Sequence, residues 1–170
     1  MRFRDIPQFT RVGSWECDYD LERFVKAIEE FENEGLQMNP DFQRGHVWDE
    51  AQQVAYIEYL LKGGKTARVI YLNCVGWQNG VYGEDFVCVD GLQRATAIKR
   101  FIHNEIKVFG AYFKEYEDSP RMTQGVKINI NDLSTRKEVL QWYIDFNTGG
   151  TVHTSEEIER VRRLLDVESK

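Results

Sequence analysis

Five consecutive residues, Asp90-Gly91-Leu92-Gln93-Arg94, join a carboxylate, a glycine, an amide and a guanidinium where two elements meet. Phe86-Val87-Cys88-Val89 before them reads as a buried strand, and 92–103 after them reads as a helix. A strand that runs through a glycine into a helix brings free backbone N–H groups and the positive end of a dipole to one point. That point favours an anion. Gly91 lets a ligand come close to the backbone, and Arg94 offers a planar fork of donors matched to phosphate oxygens. Asp90 would repel a bare phosphate, so it suits a cation ligand, a group orienting Arg94, or a base acting on water. A plainer reading stands beside these, in which Asp90 caps the helix and Arg94 pairs with a surface carboxylate.

Two other segments have related chemistry. Phe42-Gln43-Arg44-Gly45-His46-Val47-Trp48 places a second Gln-Arg pair in a loop before a capped helix. An arginine beside Trp48 can bind phosphate or stack on a base; the alternative is a surface arginine beside a core-anchored tryptophan. Asn147-Thr148-Gly149-Gly150-Thr151-Val152-His153 sets two glycines among hydroxyls between two helices. That arrangement serves either as an anion-binding nest or as a tight connection needing positive φ. His46, His103 and His153 lack zinc spacing. The glycine-rich phosphate loop, the G-x-S-x-G elbow and the H-E-x-x-H helix are all missing from the sequence.

The elements that must position these groups can be read from periodicity. Leu21, Phe24, Val25, Ile28 and Phe31 make a helical stripe over 20–34, stopped by Gly35. An extended segment follows over 36–48. Asp49 with Gln52 is a capping box for a second helix whose Val54, Ile57 and Leu61 face inward, and Gly63-Gly64 ends it. Strands are expected over 67–74 and 86–89, paired as a hairpin, with a short one over 106–109. Val126-Lys127-Ile128-Asn129-Ile130 alternates as a half-exposed strand. Two helices close the chain, boxed by Thr135 with Glu138 and by Thr154 with Glu157. The stretch 110–124 mixes aromatics with charge and favours no element. The expected fold is mixed α/β (α+β), a small sheet with surrounding helices in one domain, 1–170, with its core over about 20–165.

Bulk properties bound the function. Hydrophobic residues at 42% and charged residues at 29% are globular values. A net charge of -6 argues against a surface that coats nucleic acid. The first residues carry no apolar core of a signal peptide, and no run is long enough to span a bilayer. Cys17, Cys74 and Cys88 form no C-x-x-C pair, and the last two sit in apolar runs as small buried hydrophobes. A reducing cytoplasm is the expected location, the host's if a phage encodes the chain.

Taken in order, Gln43-Arg44-Gly45-His46-Val47-Trp48, Asp90-Gly91-Leu92-Gln93-Arg94 and Asn147-Thr148-Gly149-Gly150 resemble the N-terminal domain of GmrSD-type modification-dependent restriction proteins. That family is a branch of the ParB/sulfiredoxin-like superfamily, and the resemblance covers roughly 36–165. It implies a cleft that binds a nucleoside triphosphate with a divalent cation, Mg²⁺, and hydrolyses it to license or regulate a nuclease. By position, Asp90 would serve the metal or the attacking water, with Gln93 and Arg94 on the phosphates. Gln43 and Arg44 would reach the phosphates from the opposite wall, and Asn147 with the Gly149-Gly150 backbone would close the site. The family's usual Asp-Gly-Gln-Gln-Arg has Leu92 here, so a polar side chain is replaced and hydrolysis is expected to slow more than binding. The chain ends where the family continues into a nuclease, so a stand-alone domain acting through DNA or a nuclease partner is expected. Three readings follow: an NTPase, a nucleotide- or DNA-backbone-binding regulatory module without turnover, and a nuclease. The third ranks last because no carboxylate cluster accompanies Asp90.

Overall fold

Asp20 starts the first helix by accepting a hydrogen bond from the Arg23 N–H at 2.8 Å, and α1 (Leu21–Asn33) buries the predicted stripe. The computed structural model describes residues 2–5, 15–43, 45, 47–80, 82–83, 85–148 and 155–168. The capping box of Asp49 and Gln52 forms in both directions at the head of α2 (Glu50–Leu61). The inward face of α2 differs from the expected one. Gln53, Tyr56, Ile57 and Leu60 are buried, while Val54 and Leu61 lie at the margin of the core. Gln53 can sit inside because its amide donates to Trp48 O at 3.0 Å and accepts from Arg100 Nη1 at 2.7 Å. A buried amide with its partners in place costs little.

Four strands make one sheet: β1 (Trp15–Tyr19), β2 (Val69–Asn73), β3 (Val87–Asp90) and β4 (Val126–Asn131), ordered β1-β4-β2-β3. β2 and β3 pair antiparallel, as the hairpin expectation required; β4 runs parallel to β2 and antiparallel to β1. Strand alternation then gives two covered faces. Ile70, Leu72, Ile128 and Ile130 pack with α1, α2 and α3 (Leu92–Ile102). Val87 and Val89 pack with α4 (Arg136–Thr148) and α5 (Ser155–Val167). The fold is mixed α/β, as expected.

Two expectations about strands need correction. The strand over 126–130 is buried, not half-exposed, because β4 lies inside the sheet rather than at its edge. Its Asn129 is bonded to Glu16 Oε1 at 3.1 Å on the neighbouring strand. The expected strand over 106–109 reduces to one bridge between Val108 and Ala111, since Phe109 takes a positive φ of 49° and turns the chain. The ambiguous stretch 110–124 holds two short 3₁₀ turns, Phe113–Glu115 and Met122–Gln124. The Thr135–Glu138 box forms, with Glu138 Oε2 accepting from Thr135 N at 3.1 Å. Thr154 and the Glu157 side chain lie outside the described residues.

Cys74 and Cys88 are buried, as expected, and Cys17 is half-buried; all three are free thiols. Burial pushes the Cys88 thiol up to about 12. Because the thiolate is the reactive form, thiol titration of the native protein at neutral pH should release at most one equivalent, from Cys17. The other two should appear only on unfolding. Two fast thiols in the native state would contradict the packing of β2 and β3. Among the described residues, no helix is long and apolar enough to cross a membrane.

Candidate functional site

β3 ends at Asp90 and α3 begins at Leu92, so Gly91 alone makes the turn. It has φ 120°, and a Cβ built there would lie 2.7 Å from Ile70 Cδ1 and 3.2 Å from Ile70 Cα. Glycine is therefore required by conformation and by space together. Gly91 is itself the N-cap of α3, and no side chain caps the helix. The capping role considered for Asp90 is thereby overturned. The Asp90 carboxylate instead pairs with the Arg94 guanidinium one turn along, which is the orienting role. The first helical bond runs from Ala95 N–H to Gly91 O at 2.8 Å, and of the N–H groups before it that of Leu92 faces the Cys88 thiol, which leaves those of Gln93 and Arg94 at the open end of the helix.

Gln93 points away from this junction and holds the neighbouring loop. Its Oε1 accepts from Val47 N at 2.9 Å and Trp48 N at 3.0 Å, and its Nε2 donates to Gly45 O at 2.8 Å. Both ends of the amide are used, so Gln93 is placed as a positioning residue. Gln43, at the loop's start, donates to Cys88 O on β3. The loop is also fixed from behind by Arg160 of α5, whose Nη2 donates to Phe42 O at 3.0 Å and Gln43 O at 2.7 Å. Replacing Gln93 by alanine removes three hydrogen bonds worth roughly 1 kcal/mol each. The expected loss is about 2–4 kcal/mol of global stability, with amide exchange at Val47 and Trp48 at least tenfold faster. Unchanged exchange at those two amides would show that the loop is held by other contacts.

Between the β3–α3 turn, this loop and the end of α4 lies a cleft of about 530 Å³. That volume falls in the range of small-molecule sites, which is roughly 300–1,000 Å³. Gln43, Trp48, Asp90, Gly91, Gln93, Arg94 and Asn147 all line it, so the structure brings together every predicted site residue that it describes. Arg44, Gly149 and Gly150 lie outside the described residues. Trp48 contributes an apolar wall, packed on Tyr56 with ring centroids 5.4 Å apart. Asn147 donates to Tyr143 O at 2.7 Å within its own helix.

Sequence reasoning missed two features that shape the cleft. One is Arg160, whose hold on the 42–43 carbonyls spans more than a hundred residues of chain. The other is the wall made by Thr66 and Ala67. Ala67 takes φ 53°, unusual for a residue with a Cβ, and its carbonyl is held by the Tyr56 hydroxyl at 2.9 Å. Burial pushes the Tyr56 phenol above its ordinary range, so it stays a donor. The Tyr56–Ala67 pairing leaves no local signal in the sequence.

Among the described lining residues, Asp90 and Arg94 are the charged ones. No group of three or more His, Cys, Asp and Glu side chains able to hold a metal occurs among the described residues. The described residues therefore form no cage for a resident metal ion here. One carboxylate does fit a Mg²⁺ that arrives on phosphate oxygens, since that ion is commonly held by one or two carboxylates plus phosphates and water.

Comparison with known families matches residues 21–125, well over half of the chain, to the GmrSD restriction endonuclease N-terminal domain. No curated protein and no solved structure matches.

Proposed function

The chain belongs to the family of GmrSD restriction endonuclease N-terminal domains, and on that premise we propose that its β3–α3 cleft binds a nucleoside triphosphate and hydrolyses it with Mg²⁺. The observation that carries the reading is the meeting of an uncapped helix N-terminus, Gly91 and Arg94 in one cleft of ligand size. Phosphate oxygens would accept from the Gln93 and Arg94 N–H groups, where the dipole adds attraction. Arg94 would add a charge-assisted fork. Trp48 offers an apolar face at the other wall for the base or sugar.

Catalysis in such a site is mainly positioning and charge stabilisation. Arg94 would stabilise charge developing on the transferred group, and Asp90 would orient the attacking water or hold the cation. The cation, when bound with the nucleotide, would neutralise phosphate charge. Gln93 keeps the 45–48 loop against the cleft. The regulated partner would be a nuclease or DNA, in keeping with the restriction-related family.

A second reading, binding without turnover, is favoured by one observation. Leu92 lines the cleft with a mostly buried apolar side chain, 9% exposed, and so cannot orient a water. Thermal unfolding with Mg²⁺ and each of the four common NTPs tests the shared premise. A ligand at about 100 times its Kd adds roughly 2.7 kcal/mol, or about 5–10 °C in a domain of this size. Phosphate release then separates turnover from binding. No shift with any NTP would sink both readings.

A further inference from the structure

The loop that joins α2 to β2, Gly63-Gly64-Lys65-Thr66-Ala67, is mostly exposed, yet three neighbouring side chains hold it. The Tyr59 hydroxyl accepts from Thr66 N at 3.0 Å and meets Thr66 Oγ1 at 2.6 Å. The Tyr56 hydroxyl donates to Ala67 O at 2.9 Å, and Arg68 Nε donates to Gly64 O. Arg68 is itself tied through Nη1 to Thr123 O at 2.6 Å. Gly64 lies so close over Tyr59 that an added Cβ would run into its ring. Ala67 is kept at φ 53°, where a residue with a Cβ is strained. Thr66 and Ala67 are exposed, so core packing does not account for this conformation. Strain of this kind persists only where surrounding contacts over-determine it, and such places cluster at ligand clamps.

What the loop presents is a charge. Thr66 and Ala67 line the same cleft as Asp90 and Arg94. The Tyr56 phenol, bonded to Ala67, lies within electrostatic reach of both Arg94 and Asp90, which sets the loop close to that pair. Lys65, next to Thr66 in the chain, is exposed, and its ammonium has no partner recorded among the described residues. The charged side chains described in the lining, Asp90 and Arg94, cancel each other. A triphosphate carries several negative charges, and a free ammonium on a fixed loop answers that imbalance as a point charge on a flexible stem.

We propose that Lys65, presented by the clamped 63–67 loop, is a second phosphate-binding cation of the β3–α3 cleft and acts with Arg94 on the triphosphate. The inference rests on the nucleotide reading above and adds to it a residue and a wall that the reading does not use. It also gives the three clamps a purpose, since a loop held in advance spares the ligand the entropy cost of ordering it.

The test is isothermal calorimetry of the full chain with each of the four common NTPs in Mg²⁺, on the wild type and three variants. Lys65→Ala removes no recorded side-chain contact, so its melting point without ligand should match the wild type. Its NTP affinity should fall at least tenfold, the scale of one charge-assisted hydrogen bond. Lys65→Arg should recover most of that loss. Lys137→Ala removes the same charge from an exposed position at the start of α4 with no ion pair recorded among the described residues, and it should bind like the wild type. Wild-type affinity in folded Lys65→Ala would overturn the role of Lys65 while leaving nucleotide binding intact. An equal loss in Lys137→Ala would overturn it too, because net charge alone would then explain the effect. Absence of binding in every wild-type titration would overturn this inference and the proposed function together.

Discussion

Replacing Arg94 by alanine is expected to abolish the nucleotide-dependent rise in melting temperature while leaving the fold in place. The guanidinium pairs with Asp90 at the rim of the cleft, with the Arg94 side chain 14% exposed. Loss of this mostly buried pair, with Asp90 left unpartnered, costs roughly 1–3 kcal/mol, a part of the roughly 5–15 kcal/mol of a typical domain. Its value to a phosphate is larger, because a hydrogen bond to a charged group contributes about 1.5–3 kcal/mol and the fork makes two. Truncation also uncovers Asp90, which then faces the phosphates unpaired. Affinity should therefore fall at least a hundredfold, which removes the thermal shift at ordinary nucleotide concentrations. Arg94→Lys should restore charge without the fork and recover only part of the loss. A full shift retained in folded Arg94→Ala would place the phosphates elsewhere.

The contrast with Gln93→Ala shows what the neighbouring residue does. Gln93 is bonded to Gly45, Val47 and Trp48 through both ends of its amide. Its loss should lower stability first and affinity second, by loosening the loop that carries Gln43 and Trp48. Arg94 should do the reverse. Two adjacent residues of one helix turn thus separate into a ligand contact and a loop clamp, and the two melting experiments distinguish them.

What the sequence could reveal follows from how local each feature is. The β3–Gly91–α3 turn is written in five consecutive residues, and strand, glycine and helix each leave a local pattern. The caps at Asp20, Asp49 and Thr135 are equally local. The clamp by Gln93 joins residues 45–48 positions apart, and Arg160 reaches Phe42 and Gln43 across a still longer separation, so periodicity carries no trace of either. β1 is a different case. Trp15, Cys17 and Tyr19 alternate with Glu16 and Asp18, a signal that was present but short, and the strand sits at a half-exposed edge. Recognising β1 would have made β4 an interior strand and explained why Asn129 is buried. Gln53 shows the limit of a polarity pattern, since an amide enters the core wherever Trp48 O and Arg100 can satisfy it.

Gly91→Ala should have the largest effect on stability. At φ 120° an L side chain is strained by roughly 1–3 kcal/mol. The added Cβ also meets Ile70, which is fully buried, at 2.7 Å from Cδ1 and 3.0 Å from Cγ2. Overpacking of this kind costs a further 1–3 kcal/mol or so. The expected loss is about 3–5 kcal/mol, or a melting point lower by roughly 10–15 °C. Gly35→Ala provides the control, because Gly35 has φ 105° but nothing within 4 Å of its Cβ position. It should show the conformational cost alone. Ile70→Val removes the Cδ1 methyl, so the double variant should recover part of the Gly91→Ala loss, with a coupling of about 1 kcal/mol in a double-mutant cycle. If Gly91→Ala costs no more than Gly35→Ala, the close approach of the turn to β2 is wrong. The uncapped N–H groups of α3 would then not be held where the proposed site needs them.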